Sequence, residues 1–131
     1  MAVRFLQINL HGCKAAQDLL EQTAKEERVD VIIASEQYRN LTHRWYSDAS
    51  SRAAIHIPLS SLRVTNVATI SANGWTWVEL GGCRVYSCYF SPNSSFDEFA
   101  RGIADLEENV RTSTLPVIAV SYTHLTLPTK A

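Results

Sequence analysis

The sequence lacks a long apolar run, an excess of either charge and a cysteine framework. No apolar run approaches the roughly 18 residues of a membrane-spanning helix, and the N-terminus has no basic region followed by a long apolar stretch. Twelve Lys and Arg nearly balance thirteen Asp and Glu, so nucleic acid could bind only through a local patch. Cys13, Cys83 and Cys88 are odd in number and lack metal-type spacing, which favours free thiols. These absences predict an intracellular protein that does not enter a membrane.

The residues that are present predict one globular core, since 46% of the 131 residues are hydrophobic. A strand over residues 3–9, an amphipathic helix over 13–27 and a second apolar strand over 29–35 form a βαβ-like unit. Parallel pairing through a right-handed crossover is the default topology of such a unit.

The middle of the chain predicts strands and turns. Residues 36–52 lose the periodicity and predict a surface loop. Two glycine-containing turns, Asn73-Gly74 and Gly81-Gly82, predict an antiparallel meander over residues 64–90. A capping box at residues 95–98 begins a helix that ends near residues 111–113, and residues 116–120 predict the last strand.

Polar side chains follow the two strands of the βαβ-like unit. Asn9 and Glu36 would project from the carboxyl ends of neighbouring strands, where open α/β sheets place their ligands. An amide and a carboxylate oxygen suit Mg²⁺, which keeps waters and substrate phosphates as its other ligands. The alternative is a solvated or capping carboxylate with no metal.

The loop after Glu36 interleaves cations with aromatic residues, a mixture that can pair with phosphates and stack on bases. The alternative, which composition alone favours, is a polar loop whose aromatic side chains fold back onto the core. His56 lies in the apolar run AAIHI and predicts a structural histidine. The candidate DNA-binding side chains of the loop are Tyr38, Arg39, His43 and Arg44.

Four segments together resemble the endonuclease/exonuclease/phosphatase family, and more narrowly the endonuclease domain of non-LTR retrotransposon polyproteins: LQINLHG at 6–12, IIASEQY at 32–38, YFSPN at 89–93 and LPVIAV at 115–120. The resemblance covers residues 3–120. It implies an α/β fold in which residues 1–120 are a truncated half of a four-layer α/β/β/α sandwich. It also implies Mg²⁺-dependent hydrolysis of a phosphodiester, DNA as the partner, and a nuclear, full-length polyprotein with a fused reverse transcriptase.

The resemblance also assigns roles to single residues. Asn9 and Glu36 match the family's metal-site positions, and Tyr38 matches an aromatic residue beside the DNA. Asn93 matches a phosphate-contacting asparagine near the active site. The family's catalytic tyrosine corresponds to Tyr89 by chemistry and to Phe90 by register. The implied catalytic set is therefore Glu36, Tyr89 and Asn93.

The chain departs from the family after Val120. The family continues into Gly-Asp-Phe-Asn, whose Asp activates the attacking water, whereas this chain continues Ser121-Tyr122-Thr123-His124 and has no Asp or Glu after Glu108. We therefore expect an inactive chain. Residues 121–131 resemble a translated sequencing adapter and are expected to be artefactual and disordered. Since such sandwiches need about 200–250 residues, exposed apolar surface and poor solubility are expected. The alternatives are a non-catalytic nucleic-acid-binding module and another phosphoesterase of the superfamily.

Overall fold

The fold was obtained as a computed structural model that describes residues 3–38, 43–59, 62–68, 72 and 74–123. The described part contains two helices and eight strands. In chain order these are β1 (Phe5–Asn9), α1 (Lys14–Glu26), β2 (Val31–Ser35), β3 (Trp45–Ser47), β4 (Ala53–His56), β5 (Val64–Val67), β6 (Trp75–Leu80), β7 (Cys83–Phe90), α2 (Phe96–Arg111) and β8 (Val117–Thr123).

The first sheet has the strand order β1-β2-β4-β3. Strands β1 and β2 are parallel and joined through α1, which confirms the predicted βαβ-like unit, and β4 is antiparallel to both of its neighbours. Helix α1 begins after Cys13, whose Sγ accepts a hydrogen bond from the Ala16 N–H at 3.5 Å. Its Leu20 and Ala24 are buried against the outer face of this sheet, as the amphipathic pattern predicts.

The second sheet has the strand order β5-β6-β7-β8. Strands β5, β6 and β7 form the predicted antiparallel meander, and β8 returns parallel to β7 after α2. The β6–β7 turn uses Gly81 and Gly82 with φ of +56° and +79°, a left-handed conformation that favours glycine. Helix α2 starts at the predicted capping box, where the Ser95 Oγ accepts a hydrogen bond from the Glu98 N–H at 3.2 Å.

Three apolar clusters separate four layers. The middle cluster, which includes Ile33, Ile55 and Val85, lies between the facing sheets. One outer cluster lies beneath α1, and the other joins Trp77 and Tyr86 of the second sheet to α2. The α/β/β/α layering is as expected. The two sheets cover each other's inner faces. Among the described residues, the most exposed large apolar side chain lies on α2, where Phe96 is 82% exposed.

The segment predicted as a surface loop differs from that prediction. It contains strand β3, which pairs with β4 and buries Trp45. The last strand is also longer than predicted, because β8 runs through residues 121–123 of the tail in register with Cys88, Tyr89 and Phe90. Residues 124–131 lie outside the described part.

Two further expectations concern cysteines and membranes. The three cysteines are free thiols, with Cys88 buried, Cys13 exposed and Cys83 between these extremes. Burial raises the pKa of Cys88 to about 12. Neither helix of the described residues is long and apolar enough to cross a membrane.

Candidate active site

The site begins where two parallel strands end together. Asn9, the last residue of β1, is in register with Ser35, the last residue of β2, so Glu36 follows directly at the same edge. Glu36 has a φ of +51°. Its backbone N–H donates to the Arg52 carbonyl oxygen at 2.8 Å, and its carbonyl oxygen accepts from the Gly12 N–H at 2.7 Å. The backbone of Glu36 is therefore held between the β1–α1 turn and the residue that precedes β4.

Tyr89 on β7 reaches Glu36 from the other sheet. Its hydroxyl donates a hydrogen bond to Glu36 Oε1 at 2.8 Å. Side chains alternate along a strand, so Ser87 faces the first sheet as well and donates to the Ala34 carbonyl oxygen at 3.1 Å. Phe90 points the opposite way and packs edge-on against Phe99 of α2, with ring centroids 5.4 Å apart. The tyrosine, not the adjacent phenylalanine, contacts the candidate metal-site carboxylate.

Burial and the hydrogen bond to the Glu36 carboxylate raise the pKa of Tyr89, and hydrogen bonding and charge from Arg52 oppose that rise. The phenol therefore stays protonated at neutral pH, and it can donate a hydrogen bond to the carboxylate.

Asn9 and His11 complete the same edge. The Asn9 Oδ1 accepts a hydrogen bond from the His11 backbone N–H at 2.8 Å, and the His11 Nδ1 lies 3.3 Å from Glu36 Oε2. The Asn9 Nδ2 is buried without a hydrogen-bond partner among the described residues. A buried donor in this state is costly, so this atom marks a place where an acceptor could bind.

The oxygen atoms of Glu36 and Asn9 are candidate ligands for a magnesium ion. Glu36 supplies one carboxylate and Asn9 one amide oxygen, which is a sparse set but the type that Mg²⁺ uses when water and phosphate provide its other ligands. Within the described residues, no group of three or more His, Cys, Asp and Glu side chains is placed to hold a metal. The residues therefore fit a partial magnesium site.

Arg52 is a site residue that the sequence did not single out beyond its place in the loop. Its guanidinium carbon lies 5.9 Å from the centroid of the Tyr89 ring. Its carbonyl oxygen is the acceptor for the Glu36 N–H. The only signal in the sequence was its membership of a loop rich in cations and aromatic residues.

Asp48 organises the loop that carries Arg52. Its buried carboxylate accepts hydrogen bonds from the backbone N–H groups of Arg52 at 2.8 Å and Ala53 at 2.9 Å, and also from both the N–H and the hydroxyl of Ser50. It further accepts from the Gly74 N–H at 2.7 Å. Gly74 in turn accepts at its carbonyl oxygen from the Tyr89 N–H, also at 2.7 Å. One carboxylate thus connects the backbone beside Glu36 to the strand of Tyr89.

Gly74 is required at that junction. Its φ is +96°, and a Cβ added there would lie 2.9 Å from the Tyr89 carbonyl oxygen. Any larger residue would push β7 away from the Asp48 loop.

Three of the four predicted DNA-binding side chains of the loop, Tyr38, His43 and Arg44, lie in the described part of the chain. The Tyr38 N–H donates to the buried Gln17 Oε1 at 2.8 Å, and His43 is exposed. Arg44 donates to the carbonyl oxygens of Leu59 at 2.7 Å and Leu62 at 2.5 Å, so its guanidinium already has a structural role. Arg39 lies outside the described residues. The DNA contacts of these side chains stay predictions.

Other aromatic residues of the loop pack inward, as the alternative interpretation proposed. Trp45 stacks on His56 with centroids 4.4 Å apart and donates from Nε1 to Glu21 Oε1 at 2.9 Å. His56 is buried, which agrees with its prediction as a structural histidine.

Asn93 lies in the turn between β7 and α2. Its backbone N–H donates to the Ser91 Oγ at 3.3 Å, and its side chain is exposed. Its phosphate contact stays a prediction.

Comparison with solved structures finds similar folds, of which two are described. The endonuclease domain of TRAS1, a telomere-specific non-LTR retrotransposon, matches with a TM-score of 0.75 and 20% identity over 92% of this chain and 58% of that one. An endonuclease/exonuclease/phosphatase family protein from Leptotrichia buccalis C-1013-b matches with a TM-score of 0.58 and 14% identity over 92% and 66% of the respective chains. No protein-family profile and no curated protein matches the sequence.

These likenesses confirm the predicted fold class. The chain has the endonuclease/exonuclease/phosphatase fold, and a retrotransposon endonuclease domain is among the structures that share it. The chain spans 58% of the length of that domain, so it corresponds to part of the sandwich.

Proposed function

We propose that this chain is the N-terminal part of a Mg²⁺-dependent DNA endonuclease domain of a retrotransposon-type polyprotein. The observation that carries the proposal is the hydrogen bond between Tyr89 and Glu36, which joins the two sheets at one edge of the sandwich. Polar groups from three separated parts of the sequence, Asn9, Glu36 and Tyr89, converge on that edge. The DNA substrate and the fused reverse transcriptase are part of the proposal and follow from the resemblance.

In this proposal Glu36 and Asn9 would hold the magnesium ion, which neutralises charge developing on phosphoryl oxygens when it is bound. Tyr89 orients the Glu36 carboxylate through its hydroxyl. The exposed Asn93 is proposed to contact phosphate from the turn after β7.

The proposal includes catalytic incompleteness. Hydrolysis of a phosphodiester needs a base that activates water, and general acid–base catalysis typically contributes on the order of 10²–10⁴-fold. Glu36 is engaged by Tyr89 and His11, and the sequence has no Asp or Glu after Glu108 that could act instead.

Metal binding and nicking test separate parts of this proposal. We expect Mn²⁺, used as a paramagnetic probe for the magnesium site, to bind the native chain and to bind far more weakly after Glu36→Gln. Asp97→Asn, which removes an exposed carboxylate at the start of α2, is the matched control and should leave Mn²⁺ affinity unchanged. Equal Mn²⁺ affinity in the native chain and Glu36→Gln would refute the metal site.

Nicking of supercoiled plasmid in the presence of Mg²⁺ tests the incompleteness. We expect no nicking by the native chain. Nicking that disappears in Glu36→Ala would instead show that the chain is a complete catalyst.

A second candidate function is a non-catalytic nucleic-acid-binding module. The sparse donor set favours it, because the described residues place one carboxylate at this edge and form no larger metal-binding group. DNA binding that is unaffected by Mg²⁺ and by Glu36→Gln would support this candidate over the nuclease.

A further inference from the structure

We propose that Arg52 is a phosphate-binding residue of the candidate site and that Asp48 positions it. This inference rests on the proposed function, because it names the group that would hold the anionic substrate at the same edge. Arg52 contributes to the site twice, through its carbonyl oxygen on Glu36 and through its guanidinium beside the Tyr89 ring.

The backbone of Arg52 is fixed before any ligand binds. The Arg52 N–H is bound to Asp48 Oδ1, as is that of Ala53. Ser51, between Ser50 and Arg52, has a φ of +59°, which turns the chain sharply toward β4. Only the side chain of Arg52 would need to be ordered by a phosphate, so the entropic cost of binding is reduced.

The guanidinium of Arg52 differs from those of Arg84 and Arg44. Arg84 is buried, lies 2.9 Å from Glu79 through Nε, and stacks over Trp77 at 3.9 Å. Arg44 is committed to two backbone carbonyl oxygens. Arg52 is exposed, its guanidinium interacts with the Tyr89 side chain, and the four ion pairs found among the described residues involve other side chains. A guanidinium has five N–H donors, so Arg52 can keep its contact with Tyr89 and still offer two parallel N–H groups to a phosphate.

The positive charge of Arg52 offsets the negative charge of the Glu36 carboxylate at this edge of the sheet. The Glu36 carboxylate alone would repel an approaching phosphodiester, because both groups are anionic. Arg52 supplies a positive charge next to the Tyr89 ring, whose hydroxyl is bonded to that carboxylate. A phosphate that contacts the Arg52 guanidinium would be attracted to it even though Arg52 lies at the protein surface.

The test is the salt dependence of binding to a short fluorescein-labelled DNA duplex, followed by fluorescence anisotropy. Loss of one phosphate contact makes the slope of log K against log salt shallower by about 0.9. We expect this change in Arg52→Gln, together with an affinity that is about tenfold lower at low salt. Arg52→Lys keeps the charge and should keep the slope, while the loss of bidentate geometry lowers the affinity.

The matched control is Arg111→Gln, which removes an exposed arginine paired with Glu107 at the far end of α2 and should leave the slope unchanged. Circular dichroism of each variant establishes that it is folded. An unchanged slope in Arg52→Gln, or a native chain that does not bind the duplex, overturns the assignment of Arg52. Since Mn²⁺ binding at Glu36 is measured without DNA, failure here is distinguishable from failure of the metal site.

Discussion

His56 is a residue whose protonation is set mainly by burial. Its ring stacks on Trp45, and its Nδ1 contacts the Arg44 carbonyl oxygen at 3.1 Å, which makes Nδ1 the protonated nitrogen of the neutral ring. Burial lowers the pKa of His56 below its usual 6.5, and the hydrogen bond to Arg44 only partly opposes this. The folded protein therefore prefers the uncharged imidazole.

We expect this histidine to make folding stability depend on pH. As pH falls through about 6.5, the unfolded chain binds a proton at His56 before the folded chain does, so the free energy of unfolding decreases. The contribution is fully present above that pH and is lost below it, with a slope of at most about 1.4 kcal/mol per pH unit for one proton. Urea unfolding at several pH values measures the slope.

The variant His56→Phe retains a ring that can stack on Trp45 but cannot titrate, and it should have a shallower pH dependence. His43→Gln changes an exposed histidine and should leave the dependence as it is. Identical slopes in His56→Phe and the native chain would contradict the assignment.

The site residues differ in how far they could be predicted from the sequence. That Asn9 and Glu36 lie at one edge of the sheet could be predicted, because Asn9 ends one apolar strand and Glu36 follows its parallel neighbour. Their roles at a metal site stay predictions. Tyr89 could not be separated from Phe90, since motif register and chemistry disagreed, until strand alternation placed one ring at Glu36 and the other under α2. Arg52 left no clear signal, because its place depends on a loop closed by long-range hydrogen bonds.

At the scale of elements, the β3–β4 connection is built around one side chain. Asp48 accepts hydrogen bonds from three backbone N–H groups of its own loop and from Gly74 at the start of β6. It therefore ties an edge hairpin of the first sheet to the second sheet. A buried carboxylate is costly unless its oxygens are hydrogen-bonded, so burial of Asp48 depends on these N–H groups staying in hydrogen-bonding position.

We expect Asp48→Ala to lower the free energy of unfolding by about 3 kcal/mol, because it removes the acceptor of one buried and three partly buried backbone N–H groups. Asp48→Asn should cost less, since its amide oxygen can still accept. Urea unfolding measures both changes. Asp18→Asn is the control, as Asp18 is exposed on α1 with Lys14 as its partner, and it should change stability by less than about 0.5 kcal/mol. A loss below about 1 kcal/mol in Asp48→Ala would show that the loop closes without this carboxylate.

Sequence patterns located the elements that have an extended apolar periodicity, a capping box or a glycine turn beside them. Helix α2 followed from its capping box and its apolar face, and β6 and β7 followed from the glycines between them. Strand β3 could not be found, because three residues are too few to show alternation. Its formation depends on β4 as a partner and on burial of Trp45, which are tertiary effects.

At the scale of the whole molecule, stability depends on contact between the two sheets. Ile55 of β4 and Val78 and Val85 of the second sheet are fully buried in the middle cluster. Helix α2 contributes less, since none of its residues is buried and Phe96 is 82% exposed. Among the described residues, three of the seven exposed large apolar side chains lie on α2, and the central core between the sheets is closed.

This difference in burial predicts that two apolar truncations change the free energy of unfolding by very different amounts. Ile55→Ala should lower the free energy of unfolding by about 2–5 kcal/mol, because it opens a cavity between the sheets. Phe96→Ala should change it by no more than about 0.5 kcal/mol, since its ring is already in water. Urea unfolding followed by tryptophan fluorescence and by circular dichroism measures both, and coincident transitions would show that the sheets unfold together. If Ile55→Ala cost no more than Phe96→Ala, or if the two probes separated in the native chain, the sheets would not share one core. The candidate site would then lack the rigid frame that holds Glu36 against Tyr89.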